Sequence, residues 1–338
     1  MKRQLTESVR IMRELLERVP AAQDIQIKER SKQGYTVIFK ERGNDTVSIS
    51  VICLNRAVPS AVKEVIEKEC GDIYRVITAP YISEASARIC EKAGVGYCDF
   101  SGNCLIQTDF IYISSKGNPN LYPSDNHAKT IFKSSAKTTS LILRVLMKDV
   151  SKTWKIKELA ETVGCSIGMV FRVKTYLCEQ SWATMDSAGL HITDAEALMR
   201  EWSRAYETPD SINCYTLDSI SLFEEKCFKA FKEHSIRLCL SGFSGGVRYT
   251  PVVRYTKAHV WVAREDLSDF LNLTGCKRVD SGANVTVYIA DSDEVFADRR
   301  VINKSSVASP VQVFLDCMQL KGRGEETAEA VLSKEICR

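Results

Sequence analysis

The chain has 338 residues with 44% apolar and 26% charged side chains, which excludes a disordered or fibrous chain and exceeds what one ordinary core organises, so two or three domains are expected. Net charge is only +3, yet residues 127–157 hold eight Lys or Arg against one acid, whereas 1–126 come to +1 and 158–338 to −5. No apolar stretch follows the opening MKRQL and no run reaches the roughly 18 residues a membrane span needs, so a membrane role is excluded and a cytoplasmic location expected.

LTESVRIMRELLERV spaces Val9, Met12, Leu15 and Leu16 for an opening helix. DIQIKER, GYTVIFKER and DTVSISVICL alternate apolar and polar residues, parted by SKQG and GND, and predict a strand meander. A helix SAVKEVIEKEC follows Pro59, then a strand YRVITA, a helix SEASARICEKAG closed by Gly94, and short strands GYCDF, CLIQ and FIYIS. These elements make an α/β domain of 1–118. The Pro-, Asn- and Ser-rich stretch that follows, lacking any periodicity, makes 119–135 a linker. The 13 cysteines are scattered, odd in number and never spaced CxxC, so free thiols are expected rather than a disulfide frame or a metal centre.

Residues 136–205 carry three helical patterns: SLILRVLM, IKELAETVG and a third starting at Ser166. Gly164 suits a left-handed helix end and a tight turn, and Ser166 suits the cap of the next helix. Two helices joined through a short glycine turn are the arrangement that places a helix in the major groove. On the third helix Val170, Val173 and Leu177 form one stripe for packing on Leu159 and Ala160, so Met169, Arg172, Lys174 and Thr175 are assigned to the outer face. WATMDSAGLHIT then alternates around Asp186 to Gly189 as a small hairpin, a wing. The basic window Lys129 to Lys157 supplies phosphate neutralisation, with Lys152, Lys155 and Lys157 at the start of the second helix, where free N–H groups also favour anions. Ser166 and His191 complete the expected DNA contacts, although a packed or merely exposed imidazole fits the hairpin position better than a phosphate contact.

The remainder alternates again. YETPDSINCYT at 206–216 is expected as a second linker, followed by a helix SLFEEKCFKAFKEH, a strand IRLCL, a glycine-rich turn GFSGG, a strand HVWVA, a helix LSDFLNLTG and a strand NVTVYIA. Ser309 and Pro310 open a last helical stretch that KGRGEE divides in two.

The run GCSIGMVFRVKTYLCEQSWATMDSAGLHITDAEALMREW resembles the winged helix of the AbiEi-type transcriptional regulators, the antitoxin side of type IV toxin–antitoxin systems. YISEASARICEKAGVGYCDFSGNCLI, LSGFSGGVRYTP and SPVQVFLDCMQLKGRGEETAEAVL resemble the larger members of that group. The resemblance implies a multidomain α+β chain: a degenerate restriction-endonuclease-like α/β domain at 1–118, a winged helix-turn-helix at 136–205 and a nucleotidyltransferase-like domain at 206–338. It further implies a repressor of its own operon that binds double-stranded DNA beside a nucleotidyltransferase-like toxin. It fixes no oligomeric state.

Neither flanking region carries the acids its chemistry needs. Metal-dependent cleavage needs an acid on one strand and Glu-x-Lys on the next, and VSISVICLN has none of these. Glu14 and Glu17 on the first helix could supply one ligand and Asp45 another, but helix carboxylates beside Arg13 and Arg18 are ordinarily solvated. Asp99, Ser101 and Asn103 fit a turn held by side-chain bonds. Nucleotidyl transfer needs an acid-x-acid strand after the Gly-Ser turn, and KAHVWVARED offers Lys, His and apolar residues instead, its acids falling past the strand. No catalysis, metal or cofactor is therefore expected. The alternative is a metal-dependent nuclease or nucleotidyltransferase targeted to DNA by the winged helix, and a third reading makes the chain a protein-binding scaffold.

Overall fold

The computed structural model describes residues 2–31, 34–40, 46–68, 73–109, 111–123, 131–132, 137–207 and 209–337. Lys129, Lys133, Asp45, the turn positions 32–33 and 41–45 and most of the 119–135 linker lie outside these residues. Contacts divide the chain into two compact units, residues 1–126 with 178–181 and residues 127–177 with 182–338.

In the first unit, α1 (Lys2–Glu17) is followed by the meander β1 (Gln23–Ser31), β2 (Gly34–Lys40) and β3 (Thr46–Cys53). Then come α2 (Pro59–Glu67), β4 (Tyr74–Ala79), α3 (Glu84–Lys92), β5 (Gly96–Asp99), β6 (Cys104–Gln107) and β7 (Tyr112–Ser115). The strands form one seven-stranded sheet in chain order. Pairing is antiparallel except where α2 and α3 cross over, making β3–β4 and β4–β5 parallel. Alternation assigns the two faces. Val76 joins Met12 and Leu16 of α1, whereas its neighbour Ile77 joins Val62 of α2 and Cys90 of α3. All 12 described cysteines are free thiols, and even Cys98 and Cys104, directly opposite across β5 and β6, are unbonded.

The second unit begins with α4 (Lys137–Lys148), α5 (Ile156–Val163), α6 (Ile167–Glu179), the hairpin β8 (Ala183–Met185) and β9 (Leu190–Ile192), and α7 (Ala195–Ala205). It continues through β10 (Ser211–Tyr215), α8 (Ile220–Glu233), β11 (Leu238–Leu240), α9 (Gly242–Tyr249), β12 (Ala258–Ala263) and α10 (Leu267–Thr274). It ends with β13 (Lys277–Arg278), β14 (Val285–Ala290), β15 (Arg300–Ile302), β16 (Ser305–Val307), α11 (Pro310–Met318) and α12 (Gly324–Val331). A seven-stranded mixed sheet runs β13-β10-β14-β12-β11-β16-β15. One face carries Leu238, Leu240, Val260 and Val287 against Phe223 of α8 and Phe270 of α10. The other presents His259 and Trp261 toward α9 and α11.

Three expectations fail here. Residues 206–216 are not all linker, because β10 lies among them and pairs with β13 and β14. The strand escaped notice because only Cys214 of its five residues is buried, so its apolar signal is weak. The stretch GFSGG is not a turn but the body of α9. Its glycines serve close packing: a Cβ at Gly245 would stand 2.9 Å from both Leu240 O and Val313 Cγ2, and one at Gly246 would collide with Thr327 Cγ2. Third, Arg144 of the basic window is buried rather than displayed.

Arg144 belongs to a buried polar network that joins α4 to the C-terminal helices. Its Nη2 donates to Gln312 Oε1 at 2.5 Å, and Gln312 Nε2 donates to Tyr206 OH and to Asp316 Oδ1, each at 2.8 Å. Asp316 also accepts from Ser241 Oγ at 2.5 Å, Trp261 Nε1 at 2.7 Å and Tyr206 OH at 3.0 Å. Burial pushes the Asp316 carboxyl above its usual range despite these donors, and lowers the Arg144 guanidinium. Arg200 adds a two-pronged pair from α7 to Glu329 of α12, at 2.7 and 2.8 Å. Such a network holds helices in register more than it adds net stability.

Candidate nucleic-acid interface

The local sequence sets how α6 is held. Gly164 ends α5 in the left-handed conformation (φ 73°, ψ 39°), its N–H returning to Ala160 O and Glu161 O, and Cys165 N donates to Ala160 O at 2.9 Å. Three residues thus connect α5 to α6, and Ser166 Oγ accepts from Met169 N at 3.3 Å to cap α6, as expected. Val170, Val173, Tyr176 and Leu177 are buried, anchoring one side of α6.

The hairpin is tied to the start of α5. Trp154 and Leu190 exchange backbone bonds at 2.8 and 2.9 Å, so the segment leading into α5 continues the hairpin sideways. Gly189 (φ 143°) permits this, since a Cβ there would lie 2.6 Å from Trp154 O. Asp186 shapes the tip by accepting from Ala188 N at 2.7 Å and Gly189 N at 3.1 Å, and these N–H groups hold its carboxyl below the usual range. Behind the hairpin Phe132, Tyr176, Trp182 and Trp202 pack together, with the Phe132 and Trp202 rings stacked.

The site residues expected from the sequence divide into two groups. Arg172 stands exposed on α6 and Lys174 half-buried, and among the described residues neither has an acidic partner. Arg172 Nη2 approaches the weakly accepting Met169 Sδ at 3.1 Å, and Lys174 Nζ sits 4.2 Å from the Phe171 ring centroid. Ser166 is exposed and Thr175 half-buried beside them. Met169 turns further inward than expected, half-buried, its sulfur also receiving Thr139 Oγ1 from α4 at 3.9 Å.

The second group is engaged locally. Lys152 pairs with Glu158 at 2.9 Å and covers the Trp154 ring at 3.5 Å, and its bond holds the Glu158 carboxyl below the usual range. Lys157 lies 3.8 Å from Glu161, and Lys155 Nζ donates to Ser187 O of the hairpin at 2.7 Å. His191 Nδ1 is 3.9 Å from Asp186 Oδ2, half-buried on β9. Within the rest of the basic window, Lys148 pairs with Asp298 at 2.6 Å and Arg144 is internal. The window is thus not one free cationic patch.

Sequence reasoning missed two residues of this surface. Ile167 and Phe171 are each 55% exposed on α6, one turn apart. A step of about 100° per residue puts Phe171 outside the stripe of Val170, Val173 and Leu177, so the signal was present, but neither Ile167 nor Phe171 was singled out from the sequence.

The two flanking motifs with chemical potential are structurally occupied. Asp99 is fully buried and accepts from Ile82 N, Ser101 N, Asn103 N and Asn103 Nδ2 at 2.8–3.1 Å, which makes it the organiser of its turn. Ser241, preceding the glycines of α9, is fully buried and committed to Asp316. Among the described residues no three His, Cys, Asp or Glu side chains gather as a metal site, and no helix is long and apolar enough to cross a membrane.

Comparison with known proteins adds one finding. Residues 191–337 match the family described as transcriptional regulator, AbiEi antitoxin, type IV TA system. The resemblance stated from the sequence is borne out over that stretch, which starts on β9 and takes in α7 and the whole C-terminal sheet with its helices, but not α4 to α6. Neither curated proteins nor solved structures give a match.

Proposed function

We propose that this chain is a DNA-binding transcriptional regulator of the antitoxin type, without catalysis, whose residues 136–205 form a winged helix-turn-helix. In this reading α6 enters the major groove of double-stranded DNA and the β8–β9 hairpin lies along the backbone as the wing. The observation that carries it is the outer side of α6, where among the described residues Arg172 and Lys174 lack acidic partners, on a helix fixed at its start by Gly164 and Ser166. The family match supports the regulatory role from the C-terminal side. Arg172 supplies a forked donor for a guanine edge or phosphate, and Lys174 a point charge for the backbone.

The engaged lysines remain useful contacts. Exposed ion pairs such as Lys152–Glu158 are worth only about 0–1 kcal/mol, so a phosphate displaces the carboxylate at little cost. Lys155, anchored to the hairpin, and His191 on the wing sit on the same module. The flanking α/β regions, 1–118 and 206–338, take the places of the endonuclease-like and nucleotidyltransferase-like domains that the resemblance implies, in non-catalytic form, and offer surface to a nucleotidyltransferase-like toxin.

The test is binding of the full chain to duplex DNA from upstream of its own gene, followed by fluorescence anisotropy across a salt series. Replacing Arg172 and Lys174 with Ala should weaken binding by about 2 kcal/mol or more and lower the salt slope by about 2. Unchanged affinity and slope would refute the assignment of α6.

A further inference from the structure

The centre of the outer side of α6 is apolar, which phosphate contact does not explain. Ile167 and Phe171 are each 55% exposed, large enough that leaving them in water is costly without a purpose. They lie at i and i+4 in the first turns of the helix, the part that meets base edges when a helix enters the major groove. Beside Phe171, Gly168 has no heavy atom within 4 Å of where its Cβ would stand, so this part of the helix surface is low and approachable. The stretch IGMVFRVKT contains Arg172 and Lys174 and no acid, so positive charge borders the apolar pair. Lys174 Nζ sits over the Phe171 ring at 4.2 Å. This combination favours a polyanion that also presents apolar groups. A protein partner would be served by the apolar pair alone, and bare phosphates by the charges alone.

The major groove of DNA has one strongly apolar feature, the C5-methyl of thymine. We infer that Ile167 and Phe171 select thymine by packing on its methyl group, while Arg172 and Lys174 hold the flanking polar edges and phosphates. This inference rests on the DNA-binding reading of α6 and adds the chemistry by which that helix chooses a sequence. It predicts a site with one or two thymines placed against the start of α6, in each half-site if the chain binds as a symmetric pair.

The experiment separates the two claims. Duplexes are enriched from a randomised pool by the full chain, and in the best of them each thymine is replaced in turn by deoxyuridine, which removes the methyl and leaves base pairing intact. At one or two positions the replacement should weaken wild-type binding roughly fourfold, the effect of one buried methyl-sized group. The Ile167→Ala, Phe171→Ala variant should bind more weakly and be indifferent to replacement at those positions. Because both side chains are more than half exposed, the variant should still unfold cooperatively with a thermal midpoint within a few degrees of the wild type, separating lost contacts from lost folding. Firm binding with no thymine dependence would overturn the inference alone, as would a variant that keeps the wild-type dependence. Conversion of a self-associating chain to a monomer by the variant, without thymine dependence, would reassign the pair to protein contact and overturn it. Enrichment of no duplex at all would overturn the DNA-binding reading and the inference together.

Discussion

Arg144 on α4 and Arg172 on α6 belong to the same unit and stand in opposite environments. Arg144 is buried, bonded to Gln312 and 5.6 Å from the Trp202 ring centroid, whereas Arg172 is exposed and rests against the Met169 thioether. Two glycines repeat the contrast: Gly246 lies where a side chain cannot fit, and Gly168 where nothing is near. The sequence segment richest in cations spends part of that charge inside the molecule, and the free cations come from the neighbouring helix. Charge density along a chain and charge displayed on a surface are therefore different quantities, and only burial converts one into the other.

The contrast is sharpest in stability. Arg144→Ala should cost about 3–5 kcal/mol in urea unfolding, because it removes the donor to Gln312 and a cation near Asp316. Arg144→Met, which keeps the stem against Trp202, should cost less. Equal losses would show that the guanidinium bonds are immaterial.

His259 gives a pH handle on the same buried side. Burial, reinforced by Lys257, lowers its imidazole to about 4 from 6.5. The unfolded chain then takes up a proton that the folded chain refuses, so stability present above pH 6.5 is lost as pH falls toward 4. The loss should reach roughly 3 kcal/mol, and His259→Leu should lack it in urea midpoints compared at neutral and acid pH. A Leu variant as acid-sensitive as the wild type would place the titration elsewhere.

The glycines offer a smaller test with opposite signs. Gly246→Ala should destabilise by about 1–3 kcal/mol through collision with Thr327, while Gly168→Ala should stabilise by roughly 0.5–1 kcal/mol as an open helix site. Thermal melts of the two variants shifting in the same direction would undo the contrast. Smallest of all is the stability effect of Arg172→Ala with Lys174→Ala, expected within about 0.5 kcal/mol because neither side chain holds anything in place. A larger loss would mean that the outer side of α6 is structural after all.

Most elements were legible in the sequence, because alternation and helical spacing report which side of a segment faces a core. The caps at Gly164, Ser166 and Ser309 were legible too, since each rests on a bond within its own turn. What failed was non-local. The strand β10 gains its place by pairing with β14, far along the chain, and not from its own weak pattern. The body of α9 looked like a turn because glycine signals flexibility locally, whereas here it makes room for α11 and α12. Of the candidate site, Arg172 and Lys174 were found by their position on a helix, but Ile167 and Phe171 were not singled out, because only the assembled chain shows that nothing covers them.

The sequence by itself determined where most helices and strands form and where α5 and α6 start and stop, properties of residues a few positions apart. Only the tertiary structure decided which cations are free, which glycines are packing sites and which apolar residues stay in water. Those outcomes depend on what distant segments bring alongside, and burial is a property of the assembled chain.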